Sequence, residues 1–223
     1  MNIPSIQIGV GQGSGGLGGA VQILLLITLI SLAPSLVIML TSFTRIIVVL
    51  GFTRSAIGIP QTPPNQVLTG LALFLTFFVM SPTLLQINND ALQPLLANKI
   101  TQQQALTQAQ EPIRAFMFKQ VRQSDLALMV YASHAPQPRT QADIPTMVLI
   151  PAFILSELHT AFQIGFMIFL PFLVIDIVVS SALMAMGMMM LPPTTISLPF
   201  KLLLFVMVDG WHLVVQSLLL GFH

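Results

Sequence analysis

The chain has 223 residues, of which 55% are hydrophobic and only 7% are charged. Soluble domains carry roughly 25% charged residues, so most of this surface must face lipid or other protein. The net charge of +1 gives no reason to expect a nucleic-acid partner. Because there is no cysteine, disulfides, thiolate metal sites and a cysteine nucleophile are excluded. Composition predicts a polytopic membrane protein or a subunit buried in a hydrophobic assembly.

The first 85 residues are predicted to form a glycine-rich lead and a helical hairpin. Residues 1–20 carry no charged side chain, and we expect a flexible lead rather than a secretory signal, because the basic n-region is missing. An apolar segment then runs from Val21 through Arg54, with a bend expected at Pro34. Three prolines within residues 60–64 exclude helix from the turn that follows. A second apolar segment, 67–85, completes the hairpin of residues 21–85, with an interruption expected at Ser81-Pro82.

Residues 86–145 differ in kind, because they hold nine of the 15 charged residues. Thr101 and Gln104 have the spacing of a capping box, and Pro112 suits the start of an amphipathic helix. Its apolar face is expected to comprise Ile113, Phe116, Met117, Val121, Leu128 and Tyr131. We predict a helical extramembrane segment that packs on a partner.

Residues 146–223 are predicted to form a second hairpin. The apolar segment 146–191 is too long for one simple span, and we expect Pro151 and Pro171 to divide it. After Pro192-Pro193, a fourth segment runs from about 198 to 222. The hairpin tip holds five of the 13 methionines within seven positions, Met184, Met186, Met188, Met189 and Met190. Methionine packs against shapes that vary, although it is also ordinary filler in a lipid-facing helix.

Basic residues predict the orientation of the hairpins. Arg45 and Arg54 flank the turn at 55–66, and Lys201 flanks the turn at 192–197. The positive-inside rule therefore places both turns in the cytoplasm and the charged segment 86–145 outside.

Five ionisable residues lie in or beside the predicted spans, where a charge is costly: Glu157, Asp176, Lys201, Asp209 and His212. If the second hairpin turns near 192–193, Asp176 and Asp209 lie at equal depth and Lys201 lies roughly 12 Å away. An ion pair between Asp176 and Lys201 is therefore not expected, whereas His212 could share a helix face with Asp209. Two interpretations remain open, a path for protons or polypeptide and hydrogen-bonded contacts between subunits.

Catalysis is not expected. The sequence lacks a nucleophile elbow, a zinc-protease motif and a glycine-rich phosphate loop, and the segments around Asp176 and Asp209 do not match intramembrane aspartyl proteases. Glu157 and His159 are two positions apart, so they diverge on a helix and cannot share a metal. We expect no enzyme activity, metal or cofactor.

Long strings in the chain resemble the FliP family, the core export-gate subunits of the flagellar type III secretion apparatus. The strings are T-S-F-T-R-I-I-V-V-L-G-F-T-R (41–54), P-P-N-Q-V-L-T-G-L-A-L-F-L-T-F-F-V-M-S-P (63–82) and the stretch from P-A-F-I-L-S-E-L-H-T-A-F-Q-I-G-F (151–166) through V-D-G-W (208–211). The string M-G-M-M-M-L-P-P fits the flagellar branch of the family.

The resemblance implies an all-α subunit of a homopentamer that forms a right-handed helical ring with FliQ and FliR. FlhB lies on the cytoplasmic side, and unfolded flagellar proteins pass through the central pore. The assembly belongs to the inner membrane within the basal body and reaches to the periplasmic side of the bilayer. Met188, Met189 and Met190 would form a gasket at the constriction, with Met184 and Met186 as packing. Glu157, Asp176 and Lys201 match charges that the family uses for assembly or export.

Two other functions were weighed against a protein-conducting channel. A secondary transporter for a small solute would need inverted repeats with broken helices, and the sequence shows no internal repeat. A structural scaffold that only nucleates the export machine remains an alternative. A channel must admit an extended chain yet hold back ions at rest, and apolar flexible side chains at a constriction can do both.

Overall fold

The protein was analysed as a computed structural model, which describes residues 38–222 except 135–137 and 189. It also describes Val21, Ile23, Leu24, Ile27, Thr28 and Ser31. The chain divides into two compact units, Met1–Val37 and Ile38–His223. In the first unit the described residues are α-helical, and Thr28 and Ser31 donate their hydroxyls to carbonyls four residues earlier. The expected flexible lead and the bend at Pro34 lie outside the described residues.

Every regular element in the described part of the second unit is a helix, which confirms the all-α prediction. The helices are α1 (Phe43–Ile57), α2 (Asn65–Ile87), α3 (Gln93–Leu96), α4 (Gln102–Gln120), α5 (Gln123–Ala132), α6 (Thr146–Ala185), α7 (Pro193–Met207) and α8 (Gly210–Leu220). A π-helical turn, Asn88–Leu92, joins α2 to α3, and a 3-10 turn, Gln141–Asp143, precedes α6.

We expect the first apolar segment to continue without a break through Arg54, but a turn separates its earlier part from α1. Residues 40–42 form a turn, in which the hydroxyl of Thr41 donates to the carbonyl of Ile38 (2.7 Å) and accepts from the N–H of Phe43 (3.4 Å). Such local side-chain bonds compete with helix hydrogen bonds and end the preceding turn. The proline-rich turn between α1 and α2 is confirmed, since α1 ends before Gly58 and α2 begins at Asn65.

Prolines do not interrupt the long apolar helices, so two of our predictions are wrong. α2 continues through Pro82, and α6 continues through Pro151 and Pro171 for 40 residues. A proline removes one backbone hydrogen bond, and in apolar helices neighbouring groups satisfy the freed carbonyl. Pro112 likewise lies inside α4 rather than at its start.

The core lies where α1 packs on α6. The buried side chains there are Ile46, Val49 and Leu50 of α1 and Leu149, Phe153 and Ala161 of α6. α4, α5 and α7 pack along other parts of α6. At about 1.5 Å per residue the 40-residue α6 is about 60 Å long, and it carries two of the charged residues described below.

Most of the described residues of the segment 86–145 are helical, and its capping box is confirmed. Thr101 accepts from the N–H of Gln104 (3.3 Å), and the Gln104 side chain accepts from the N–H of Thr101 (2.9 Å). The prediction of one helix with a single apolar face is wrong, because Val121 and Arg122 are extended and separate α4 from α5. Tyr131 is therefore 83% exposed. Both helices pack on α6 of the same chain.

Two helices in the described ranges are long and apolar enough to cross a membrane, Asn65–Leu96 and Thr146–Ala185. α7 and α8 pass the same test together but are bent by 61°. The fourth segment, expected to be one helix from about 198, thus begins at Pro193 and breaks at Val208-Asp209.

The V-D-G-W string explains the bend between α7 and α8. Asp209 has a φ of 51°, in the left-handed region. A Cβ at Gly210 would clash with the ring of Phe205, so only glycine lets the chain pass so closely. Trp211 then packs edge-to-face on Phe205, with ring centroids 5.4 Å apart.

Candidate functional site

Arg45 and Glu157 form a buried ion pair between α1 and α6, with side chains 2% and 0% exposed. The Nε of Arg45 donates to Oε2 of Glu157 at 2.9 Å, and its Nη2 donates to Oε1. The same guanidinium donates to the Gln120 side chain and to the carbonyl of Gly221, both at 2.9 Å. The Phe222 ring lies 4.0 Å from the guanidinium carbon. We call these five residues the Arg45 cluster.

The Arg45 cluster joins α1, α4, α6 and the segment after α8. Gln120 also donates to the carbonyl of Phe222 (3.3 Å), so the end of the chain is held by two side chains. From the sequence, Arg45 was predicted only to flank a turn, and no partner was predicted for Glu157. The pair escaped prediction because its members are 112 positions apart.

Asp176 of α6 binds two residues of α7, and our prediction that it would not pair with Lys201 is wrong. Its Oδ2 accepts from Nζ of Lys201, and its Oδ1 accepts from the hydroxyl of Ser197, each at 2.6 Å. Ser197 is fully buried, and the Lys201 side chain is 7% exposed. We call Asp176, Ser197 and Lys201 the hairpin cluster.

The error came from where the hairpin was assumed to turn. α6 ends at Ala185 and α7 begins at Pro193, so seven residues connect them without adding helical rise. Asp176 lies nine residues before the end of α6, and Lys201 lies eight residues after the start of α7. At about 1.5 Å per residue, the two are level to within about 2 Å.

Asp209 is consequently not level with Asp176. It follows Lys201 by eight residues, is exposed, and lies at the bend between α7 and α8. His212 is also exposed, and among the described residues neither side chain has a recorded hydrogen bond or ion pair. The structure therefore does not bring Asp209 and His212 into a buried site.

Two of the three basic residues that predicted the orientation are engaged in ion pairs. Arg45 is bound to Glu157, and Lys201 is bound to Asp176. Arg54 instead closes the turn between α1 and α2, because it donates to Asn65 (2.6 Å) and to the carbonyl of Pro63 (3.2 Å). The orientation of the chain stays a prediction.

The loop of residues 186–192, which we call the methionine loop, connects α6 to α7. α6 ends in a Schellman motif: the N–H of Gly187 bonds to the carbonyl of Met184, and that of Met188 bonds to the carbonyl of Leu183, both at 3.0 Å. Gly187 has a φ of 73°, which a residue with a Cβ adopts only under strain. At the other end, Pro193 is the first residue of α7.

The described methionines of this loop, Met186, Met188 and Met190, have exposed side chains. Met188 is 42% exposed and Met190 is 98% exposed, whereas Met189 lies outside the described residues. Met184 and Met186 were expected to pack, but both are exposed. Met184 lies in the last turn of α6, and Met186 is the first residue after that helix.

A further arginine that sequence reasoning did not single out fixes the start of α6. Arg114 of α4 donates to the carbonyl of Ile144 (2.8 Å) and to the Thr146 hydroxyl (2.5 Å). In the preceding loop, the backbone N–H of Thr140 donates to Asp143 (2.9 Å), which lowers the pKa of that carboxyl below its ordinary value.

Within the described part of the chain, no three His, Cys, Asp or Glu side chains are placed to hold a metal ion.

Residues 26–218 match the FliP family, a range that contains the hairpin cluster, the methionine loop and the Arg45–Glu157 ion pair. The chain is 58% identical over 202 residues to the flagellar biosynthetic protein FliP of Bacillus subtilis (strain 168), covering 91% of each chain. It is 54% identical over 218 residues to that of Caulobacter vibrioides (strain ATCC 19089 / CIP 103742 / CB 15), covering 98% of this chain and 82% of the relative.

A more distant relative extends the same similarity. The flagellar biosynthetic protein FliP of Aquifex aeolicus (strain VF5) is 46% identical over 218 residues, which cover 97% of this chain and 90% of the relative. The match spans the whole helical unit rather than one segment. The chain therefore belongs to the FliP family.

Proposed function

We propose that this chain is a subunit of the protein-conducting export gate of the flagellar type III secretion apparatus. Five copies assemble with FliQ and FliR around a pore, with FlhB on the cytoplasmic side. Unfolded flagellar proteins cross the pore, and methionines seal it when it is empty. The assembly lies in the inner membrane within the basal body. Family membership and the relatives' shared name support the flagellar role.

The exposed methionine loop is the observation that carries the proposal. Met190 is 98% exposed at the tip of the hairpin of α6 and α7, so its apolar side chain is available to contact another molecule. Flexible thioethers from several copies can exclude water from a narrow passage and then deform around a passing chain. We assign the gasket to Met188, Met189 and Met190.

Apolar surface on the long helices supports assembly into a larger complex. The exposed side chains include Phe74, Phe77 and Phe78 on α2 and Phe166, Met167 and Val174 on α6. Contiguous apolar surface of this extent indicates contact with lipid or with other subunits. α6 is about 60 Å long, twice the ~30 Å hydrocarbon core, which supports an assembly that extends beyond the bilayer.

The charged residues fit a supporting role in assembly. Glu157, Asp176 and Lys201 are all engaged in ion pairs within one chain. We propose that they serve assembly by fixing the shape of each subunit, while the apolar surfaces form the contacts between subunits.

Replacing Met188, Met189 and Met190 together by alanine tests the gasket. The complex of the chain with its partner subunits would be purified and inserted into potassium-loaded phospholipid vesicles. We expect faster K⁺ efflux from the alanine variant, because the shorter side chains leave the passage open to water. The matched control replaces three exposed methionines elsewhere by alanine, Met147, Met167 and Met207.

The same experiment separates a gate from a scaffold. A loop variant that assembles in the parental amount and loses K⁺ no faster than the parent would contradict the gasket. A scaffold that only nucleates assembly predicts that result. Equal leakage from the loop variant and the control variant would also contradict the assignment.

A further inference from the structure

The hairpin cluster makes two separate contacts between α6 and α7. Ser197 and Lys201 are four residues apart, so they lie on one face of α7. Each binds a different carboxylate oxygen of Asp176, at 2.6 Å. A slip of α7 by one residue would move it by about 1.5 Å and rotate it by about 100°. Neither contact would survive that slip, so the cluster fixes both the axial position and the rotation of α7.

Burial of the hairpin cluster disfavours any other alignment of α7 against α6. Ser197 is fully buried, and the Lys201 side chain is 7% exposed. An ammonium group that loses its acid while it remains buried is strongly unfavourable. Alternative alignments of the hairpin therefore have to expose Lys201 or leave it unpaired.

The position of the methionine loop depends on this register, because both ends of the loop are fixed to the helices. The Schellman motif at Gly187 holds the loop to α6. Pro193 is the first residue of α7, and the N–H of Thr195 bonds to the carbonyl of Pro192 at 3.1 Å. Since only residues 188–191 lie between these fixed ends, a shift of α7 is transmitted to the methionines.

We infer that Ser197 and Lys201, through Asp176, are positioning residues that hold Met188 and Met190 where they seal the pore. The inference rests on the proposed function and adds a specific role for Ser197. The hydroxyl of Ser197 donates to Asp176 (2.6 Å) and to the carbonyl of Thr194 in its own helix (3.2 Å), and neither acceptor belongs to the loop. It acts by holding α7 in register.

Ser197→Ala tests this role with a small change of volume. In the vesicle assay, we expect the purified complex to assemble in the parental amount and to lose K⁺ roughly tenfold faster, since one hydrogen bond to a charged group is lost. Ser197→Thr keeps the hydroxyl and should restore slow efflux. Ser181→Ala is the matched control, because the Ser181 hydroxyl bonds only to the carbonyl of Ile177 in its own helix.

A second variant removes the ion pair without leaving an unpaired charge. Asp176→Asn combined with Lys201→Met should also increase efflux. Adding Ser197→Ala to the alanine variant of the methionine loop should cause no further increase, because the loop no longer seals. A purely structural contribution of Ser197 would instead add to the leakage.

The outcomes separate this inference from the proposed function. If the alanine loop variant leaks while Ser197→Ala and the Asp176 and Lys201 double variant do not, the positioning role is wrong and the gasket stands. If the loop variant itself does not leak, the proposed function fails. Loss of assembled complex in Ser197→Ala, with normal assembly of Ser181→Ala, would assign the contact to assembly and overturn the inference.

Discussion

A single guanidinium holds together four parts of this chain. Arg45 binds the carboxylate of Glu157, the side chain of Gln120 and the carbonyl of Gly221, and it lies against the ring of Phe222. The planar fork of arginine suits several acceptors at once, which a lysine cannot match. At the scale of the residue, the fold thus depends on one buried charge whose hydrogen bonds are satisfied.

Arg45→Met is expected to destabilise the subunit by about 3–5 kcal/mol, because it leaves Glu157 buried without its partner. The measurement is the thermal midpoint of the purified complex in detergent, together with the yield of complex. Combining Arg45→Met with Glu157→Gln should recover part of the loss, since no unpaired charge remains.

Arg139→Met is the control for that prediction, because Arg139 is exposed and its side chain makes no hydrogen bond to any residue that the structure describes. It should change the free energy of unfolding by no more than about 0.5 kcal/mol and so leave the thermal midpoint close to that of the parent. Equal midpoints for Arg45→Met and Arg139→Met would show that the Arg45 cluster contributes little to stability.

At the scale of the element, the bend between α7 and α8 depends on close packing at Gly210. Gly210→Ala places a Cβ against the ring of Phe205, which is itself buried against Trp211. We expect a loss of about 1–3 kcal/mol, the usual range for overpacking, and a lower yield of complex. Adding Phe205→Leu should restore part of the yield, because the smaller side chain vacates the space.

Crowding is the expected cause, because Gly210 is not among the glycines with a positive φ. If crowding is not the cause, Phe205→Leu will not improve the yield of the Gly210→Ala variant. Phe205→Leu alone serves as the control for the loss of ring contacts. The detergent-extracted yields of all three variants therefore test whether contact with Phe205 causes the loss.

Local features of the elements could be predicted from the sequence. The capping box at Thr101 and Gln104 and the turn between α1 and α2 depend on residues a few positions apart, and both are confirmed. Proline was a poorer guide, because a long apolar helix tolerates it where neighbouring turns keep their hydrogen bonds. The correct predictions were those in which the interacting residues lie only a few positions apart in the sequence.

Contacts between elements could not be predicted in the same way. The pairing of Asp176 with Lys201 depends on α6 ending at Ala185, and that end is set by the left-handed conformation of Gly187. A shift of a few residues in the assumed turn was enough to hide the pair. Arg45 and Glu157 are 112 positions apart, and no local pattern connects them. The exposed methionines, in contrast, were visible as a cluster in the sequence.

At the scale of the whole molecule, the two ion pairs that the structure describes are formed within the chain, whereas many apolar side chains of the long helices are exposed. The two ion pairs of the described residues are both internal, while aromatic and aliphatic side chains of α2 and α6 are exposed. This distribution is typical of a subunit that completes its fold by assembly or in lipid. It is consistent with the proposed assembly, in which each copy would contribute one methionine loop to a shared pore.

The chain has no cysteine, so a disulfide between two copies of this chain can form only at the introduced position. The central claim is that methionine loops of several copies meet around one pore. Its most direct test is oxidation of the assembled complex carrying Met190→Cys. Met147→Cys is the control, because Met147 is 81% exposed but lies at the opposite end of α6.

We predict that Met190→Cys gives disulfide-linked dimers on a non-reducing gel and that Met147→Cys does not, since a disulfide requires Cα atoms within about 7 Å. The complex must be extracted in mild detergent with its partner subunits, so that copies keep their native arrangement. Absence of linked dimers from Met190→Cys in an intact multi-copy complex, or equal linkage at both positions, would contradict a shared methionine seal.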